Sequence, residues 1–63
     1  MKFIQVIYPE NNEPALINAE NITSVEILKD KENNIIGSII NDCYDNEYTT
    51  KESIIEVFKM LRE

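Results

Sequence analysis

Few side chains in this sequence could take part in chemistry. The 63-residue chain has no histidine, and its single cysteine, Cys43, lies between Asp42 and Tyr44 and close to Asp45. Neighbouring carboxylates oppose ionisation of a thiol, and the thiolate is the form that acts as nucleophile or metal ligand. Carboxylates are plentiful, but no spacing places two of them across a cleft. We therefore expect a protein that is not an enzyme, with no catalytic residue, no cofactor and no metal site.

One segment alternates oxygen ligands in the manner of a calcium-binding loop. Asp30, Glu32 and Asn34 would supply the first three ligands. Such a loop needs a glycine at its sixth position and a bidentate glutamate at its twelfth. The chain has Ile35 and Asn41 at those positions, so we expect a charged chain reversal here and no calcium site.

The charge of the chain argues against direct nucleic acid binding. Twelve acidic and six basic residues give a net charge of −6, which repels phosphates. The aromatic residues are not interleaved with lysine or arginine, so no stacking platform on a basic groove is visible. These aromatic residues are Phe3, Tyr8, Tyr44, Tyr48 and Phe58.

The acidic residues are concentrated in the middle of the chain. Between Glu10 and Glu47 there are nine acids and two bases, a sum of −7, whereas the two ends together have four bases and three acids, a sum of +1. Such a segment could imitate a run of phosphates, or it could keep a small β-protein soluble and protect its strand edges. The sequence leaves both interpretations open.

The length of the chain limits its core. Sixty-three residues make one domain, and a chain of this size buries only about 60% of the surface that its unfolded form exposes. One cysteine allows no intramolecular disulfide, so self-association is the remaining common source of stability, and we expect a homo-oligomer. No apolar run approaches the roughly 20 residues of a membrane span, and no signal peptide precedes the first strand. We expect a cytoplasmic protein without membrane insertion.

The residue pattern predicts an α+β fold in a single domain, residues 1–63. Strands of one small antiparallel sheet of four to five strands are expected at about 3–8, 15–18, 23–28, 35–41 and 47–51. The first strand is apolar on both faces, which suggests that both are covered or that a partner subunit buries one. Gly37, the only glycine, indicates a bulge or a close backbone approach. Cys43 and Tyr44 could prolong the fourth strand, with Asp45 and Asn46 as the next turn.

A C-terminal helix is the clearest local prediction. It is expected at about 53–62, with Ser53 and Glu56 as a capping box. Thr49 and Glu52 form a rival box one turn earlier, but the apolar stripe begins directly after Ser53. That stripe has helical spacing and consists of Ile54, Val57, Phe58 and Leu61. About ten residues are too few for an isolated helix, so the stripe must pack on the sheet.

The stretch from Leu16 to Leu28 is predicted to organise the fold as strand, tight turn and strand. Residues 18–21 are poor strand formers, and a single helical turn or a bulge is expected there. The stripe of the helix is then expected to pack against the inward side chains of this corner. These are Ile17, Ile22, Val25 and Ile27.

Two stretches, INAENITSVE at residues 17–26 and YTTKESIIEV at residues 48–57, resemble the FlbD-type family of very small bacterial proteins, which are often found near flagellar genes. In that family a strand ends in a leucine-asparagine, acid, isoleucine, isoleucine-glutamate turn, and a late strand passes through valine-lysine-glutamate-serine into a closing helix. The resemblance implies the sheet-and-helix fold and an accessory role in bacterial motility or envelope machinery.

The chain departs from that family in two places. Its first loop, residues 9–14, and its centre, residues 26–48, are longer than the family pattern. The same arrangement of strand, turn, strand and closing helix is also similar to part of the LytTR DNA-binding domains. Those domains have basic surfaces, which this sequence lacks.

We therefore expect an accessory module that binds a protein partner through an exposed strand or the rim of the helix. The alternative is an acidic inhibitor, of the kind that phages and mobile elements encode, that binds a basic nucleic-acid-binding surface of a host protein. Candidate surface residues for these two interpretations are Ile55 and Met60 on the helix, and Glu10, Glu13, Glu32, Asp42, Asp45 and Glu47 in the acidic segment.

Overall fold

A computed structural model describes residues 1–63 and shows a small α+β fold. The elements, in chain order, are β1 (Phe3–Ile7), β2 (Pro14–Asn18), a 3-10 turn (Ala19–Asn21), β3 (Ile22–Lys29), β4 (Ile35–Asp42), β5 (Glu47–Thr50) and α1 (Ile54–Arg62). The prediction of antiparallel strands closed by one C-terminal helix is confirmed.

The strands form two sheets, so the expectation of a single sheet is wrong. β1 pairs with β2 in a two-stranded hairpin, and β3, β4 and β5 form a three-stranded meander. The chain passes between the sheets through the 3-10 turn, where the Asn18 side chain caps the helical turn by accepting a hydrogen bond from the Glu20 backbone N–H at 3.0 Å. This cap confirms the predicted helical turn, and it ends β2 so that β3 starts in a new direction.

The core lies between the two sheets and the helix. Its five buried apolar side chains come from β1, β2, β4 and α1, and are Ile4, Val6, Ile17, Ile40 and Val57. Ile22 and Val25 pack against this cluster as predicted. Ile27 does not, and 46% of it remains exposed, because β3 is an edge strand and Ile27 lines a surface depression beside the start of α1.

The helix begins where the capping box predicts. The Ser53 hydroxyl accepts a hydrogen bond from the Glu56 backbone N–H at 3.1 Å, and the Glu56 carboxylate accepts one from the Ser53 N–H at 2.9 Å. The backbone N–H of Ser53 holds the pKa of the Glu56 carboxyl below its ordinary value. The inward face differs from the prediction: Phe58 is 55% exposed, and Met60 packs against the core in its place.

The chain between β5 and α1 packs directly over Gly37. A Cβ atom at this position would lie 1.9 Å from the Thr50 carbonyl oxygen, so the predicted close backbone approach is confirmed. The neighbouring Ser38 hydroxyl donates a hydrogen bond of 2.6 Å to the Glu52 carbonyl oxygen. Only glycine fits beneath this crossing segment.

The same crossing segment joins the two sheets. Lys51 donates its backbone N–H to the Ile7 carbonyl oxygen at 2.8 Å, and the Ile7 N–H donates to Glu52 Oε1 at 3.0 Å. Glu52 Oε1 also accepts a hydrogen bond from the Thr50 hydroxyl at 2.8 Å. A side-chain carboxylate thus takes the place of a strand carbonyl and links the end of β1 to the end of β5.

Two hairpin turns repeat one hydrogen-bond pattern. In residues 30–34 the Asp30 Oδ1 atom accepts from the backbone N–H groups of the third and fifth residues, each at 2.9 Å, and Asp42 Oδ1 does the same in residues 42–46. The fourth residue of each turn has a left-handed backbone (Asn33, φ 69°; Asp45, φ 65°). β4 therefore ends at Asp42, and Cys43 and Tyr44 belong to the turn, so they do not prolong the strand.

Candidate interaction surfaces

The largest apolar depression of the surface lies where β3 and β4 pass the start of α1. We call it the apolar groove. It has a volume of about 320 Å³ and is lined by Ile27, Ile35, Gly37, Ser53, Ile54 and Ile55. Ile35 and Ile55 are 63% and 66% exposed. A cluster of isoleucines that one small domain leaves in water is typical of a surface that binds another protein.

A bulge in β4 positions this groove. A bulge in β4 leaves Ile36 without a partner between the Leu28–Gly37 and Lys29–Ile35 pairs. Residues that lie directly opposite each other share a face of the sheet, so the bulge places Ile35 on the same face as Lys29 and Ile27. The side chains of the groove therefore come from both strands and from the first turn of the helix.

The apolar surface continues along the helix. Ile55 and Phe58 are three residues apart in α1, which places them on one side of the helix, and Phe58 is 55% exposed. The Arg62 guanidinium lies 5.3 Å from the centre of the Phe58 ring, one further turn along. Ile55, which the sequence proposed as a rim residue, thus lies between the groove and this outer stripe.

β3 has a free edge beside the groove. It pairs only with β4, and no other backbone group bonds to its outward side. A bulge at Thr23 interrupts the strand near its start, after which residues 24–28 pair regularly with β4 until the β4 bulge before the Lys29–Ile35 pair. Natural edge strands are usually shortened, capped with proline or covered. β2, an edge strand of the two-stranded sheet, begins with Pro14, whereas β3 contains no proline.

A second surface is acidic and lies on the opposite face of the three-stranded sheet. Asn41 pairs with Glu47 across β4 and β5, and its side-chain amide donates a hydrogen bond of 3.0 Å to Glu26 on β3. The Thr49 hydroxyl, on the same face, donates at 2.8 Å to Glu10 of the β1–β2 loop. We call Glu10, Glu26 and Glu47 the acidic face; all three residues are exposed.

The other predicted acidic residues do not join this face. Glu13 lies in the loop between β1 and β2, and Glu32 and Asp45 lie in turns at opposite ends of the three-stranded sheet. These three residues are exposed, but they are spread over the surface. The acidic segment of the sequence is therefore not a single acidic surface.

Two of the proposed surface residues point inward. Asp42 is only 8% exposed, because it shares the inward face of β4 with Ile40. Burial opposes its ionisation, but the hydrogen bonds donated by the Asn46 side chain and by backbone N–H groups of the turn outweigh that effect and lower the pKa of Asp42. Met60 is partly buried against the core. Asp42 and Met60 therefore belong neither to the apolar groove nor to the group of exposed acidic residues.

Asp42 also affects a neighbouring tyrosine. Burial of the Tyr48 hydroxyl and the negative charge of Asp42 both raise the pKa of Tyr48 above its ordinary value of 10.0. Cys43, which follows Asp42, is exposed, and its backbone N–H donates a hydrogen bond of 2.8 Å to the Asn21 carbonyl oxygen. The cysteine thus anchors the turn to the corner between the sheets through its backbone.

Comparisons with protein-family models, with curated proteins and with solved structures gave no match for this chain. The likeness of residues 17–26 and 48–57 to the FlbD-type family therefore stays a prediction. The single helix, α1, has nine residues, and no helix of the structure has the length and apolar character needed to cross a membrane.

Sequence reasoning missed three residues of these surfaces. Ile27 was expected in the core, Ile35 was placed in a strand without a role, and Glu26 was counted in the acidic segment but not among the candidate surface residues. Strand alternation alone distinguishes two faces but does not show which face stays uncovered. A local signal existed only for Ile35, since the glycine two residues later indicated an irregular strand.

Proposed function

We propose that this protein is a non-enzymatic interaction module that binds a protein partner through the apolar groove and the free edge of β3. The observation that carries the proposal is the exposure of Ile27, Ile35 and Ile55 around one groove beside an unpaired strand. Burying such side chains stabilises a complex by roughly 1.5–3 kcal/mol for each one that is fully covered. The acidic surroundings keep the free protein soluble.

The bacterial setting of this activity is part of the same proposal. The likeness to the FlbD-type family supports an accessory role in motility or envelope machinery. Flagellar genes next to the gene for this chain would agree with that setting. Phage or defence genes would instead favour the inhibitor described below.

A photocrosslinking experiment tests the position of the contact. A photoreactive amino acid replaces Ile55 in one variant and Leu16 in a second, and both are expressed in the cells that produce this protein. Leu16 is a matched control, because it is 69% exposed and lies on the β1–β2 hairpin, away from the groove. We expect a defined crosslinked partner from position 55 and none from position 16. Equal capture at both positions would contradict the proposal.

The acidic face favours a second candidate function. Glu10, Glu26 and Glu47 project from one sheet surface, so they could bind a basic surface that normally holds nucleic acid. Three carboxylates are a smaller set than the sequence suggested, which makes this the weaker candidate. Of the five acids proposed for this role besides Asp42, only Glu10 and Glu47 belong to the acidic face.

Ionic strength distinguishes the two functions once a partner is captured. Contacts between exposed charges weaken as the Debye length falls from about 10 Å at 0.1 M salt to about 3 Å at 1 M salt. Burial of apolar side chains responds little to this change. We expect the dissociation constant to stay nearly constant for groove binding. A steep loss of affinity, together with sensitivity to Glu26→Gln and Glu47→Gln, would favour the inhibitor.

A further inference from the structure

We propose that the free edge of β3 pairs with β3 of a second copy of this chain, antiparallel, with a two-fold axis at Ile27. This inference rests on the proposed function, because it names one occupant of the same surface. The pairing would join two three-stranded sheets into one sheet of six strands. It would also place the two α1 helices on the same face of that sheet.

The arrangement of apolar residues in two layers identifies the occupant. On one side of the molecule the strand layer exposes Ile27, and the helix layer exposes Ile55 and Phe58. A partner that covers both layers must offer a strand beside β3 and apolar side chains above it. A second copy related by a two-fold axis offers this arrangement, because each copy presents the same patch to the other.

The charges of β3 select the register. Paired residues must share a face of the sheet, so a two-fold axis lies on one residue of the strand. An axis at Glu26 would oppose two glutamates, and an axis at Leu28 would oppose Glu26 to Asp30 of the second copy. An axis at Val25 would pair Ile27 with the bulge at Thr23, where the strand is irregular.

An axis at Ile27 avoids these conflicts. Ile27 then lies opposite Ile27 of the second copy, at the mouth of the apolar groove. Glu26 lies opposite Leu28, and Val25 lies opposite Lys29, whose methylene chain can cover an apolar neighbour. Four of the five paired positions, residues 25–28, belong to the part of β3 that pairs regularly with β4, and Lys29 follows the bulge in β4.

The small core gives a reason for this association. Only nine of the 63 residues are buried, and five of these are apolar core residues. A standard interface buries about 800 Å² on each partner, which would be about a fifth of the surface of 4505 Å² that this chain exposes. A chain of this size and without a disulfide gains a second apolar layer in this way.

Light scattering coupled to size exclusion gives the first test. The full chain at concentrations from about micromolar to about millimolar is expected to reach twice the monomer mass of 7.4 kDa. Ile27→Lys is expected to return the mass to that of a monomer while circular dichroism stays unchanged, because Ile27 is already 46% exposed. A native chain that stays monomeric at every concentration would overturn the proposal.

Disulfide trapping tests the register. Ile27→Cys in a Cys43→Ser background is expected to form a covalent dimer under mild oxidation, since paired residues of antiparallel strands have Cα atoms about 4.5–5.5 Å apart, a separation that a disulfide spans. Leu16→Cys in the same background is the control, because Leu16 is more exposed than Ile27 and lies on β2, in the other sheet. Crosslinking at Leu16 as fast as at Ile27 would refute the β3 interface.

The two proposals can fail separately. A monomeric native chain that still captures a different protein through position 55 would overturn the second-copy assignment and leave the proposed function in place. A disulfide dimer at Ile27 with no other protein captured through position 55 would confirm self-association and remove the separate partner. A monomer that captures no protein would reject both proposals.

Discussion

Replacing Gly37 with alanine should unfold much of this protein, although the change adds one methyl group. Strand propensity and the entropy of the unfolded chain both favour alanine over glycine, by roughly 0.4–1 kcal/mol for the entropy term. The structure opposes this gain with a steric conflict. The new Cβ atom would lie 1.9 Å from the Thr50 carbonyl oxygen, about 1.1 Å inside the 3.0 Å that Cβ contacts respect.

The size of the effect follows from what must move. The obstacle is backbone, so the segment from Thr50 to Ser53 must shift as a unit. Three hydrogen bonds hold that segment, from Lys51 N–H to the Ile7 oxygen, from the Ser38 hydroxyl to the Glu52 oxygen, and from Ile7 N–H to Glu52 Oε1. At about 1 kcal/mol each, and with roughly 1–3 kcal/mol for overpacking, the gross loss is about 4–6 kcal/mol. The entropy gain of roughly 0.4–1 kcal/mol reduces the net loss to about 3–6 kcal/mol.

That loss is comparable with the whole stability of the chain. A domain of 63 residues has a free energy of unfolding of roughly 3–9 kcal/mol at about 0.05–0.15 kcal/mol per residue. Urea denaturation followed by circular dichroism measures the difference between Gly37→Ala and the native chain. Ser38→Ala is the matched control, since it removes one of the three hydrogen bonds without adding an atom, and we expect it to cost about 1 kcal/mol.

A mild result would refute the reasoning. If Gly37→Ala unfolds within about 1 kcal/mol of the native chain, the crossing segment does not press on residue 37. The same conclusion would follow if Ser38→Ala proved more damaging than Gly37→Ala. The junction between the two sheets would then need a different explanation.

Three further predictions concern the polar contacts of the fold. Glu52→Ala should lower the free energy of unfolding by about 2 kcal/mol, because the Ile7 N–H loses its acceptor. Glu52→Gln keeps an acceptor oxygen and should cost less, so equal losses in urea denaturation would contradict this role of Glu52. Asp42→Ala should lower the melting temperature more than Asp30→Ala, because the two turns share one hydrogen-bond pattern but only Asp42 is buried. Calorimetry measures both melting temperatures, and equal decreases would contradict the effect of burial. Stability should fall as the pH drops below about 4, because the lowered carboxyl pKa values stabilise the fold only while these groups are ionised. It should fall again as the pH rises above 10.0, because the raised pKa of Tyr48 stabilises the fold only while the hydroxyl is neutral. Urea denaturation across this pH range gives the profile, and a profile that stays flat on the acid side would contradict the lowered pKa values.

Local features of the fold were predictable wherever neighbouring residues determine the backbone. The capping box at Ser53 and Glu56 gave the start of α1, and the polar residues after Ile17 predicted the helical turn between the sheets. Gly37 was recognised as a site of close backbone approach. In each case the hydrogen bonds or steric limits act within a few residues, or depend on a residue type that few positions tolerate.

The inward faces of the elements were only partly predictable. The helix stripe included Phe58, yet the helix rotates so that Met60 meets the core. Helical spacing predicts which residues form the centre of the apolar face but not which residues at its two borders are buried. Packing against the sheets selects among these border residues. Ile27 shares a face of β3 with Val25, as the strand alternation predicted, but its side chain lines the groove beside the start of α1 and does not join the core.

The sequence predicted four to five strands, the closing helix and the positions of the main turns, because composition and local hydrogen bonding govern these features. The tertiary structure was needed to show that five strands form two sheets, since strand pairing depends on contacts between residues far apart in the chain. It also decided that Asp42 is buried while Glu10, Glu26 and Glu47 share a face. The apolar groove arises in the same way, because exposure of an isoleucine depends on which distant element passes over it.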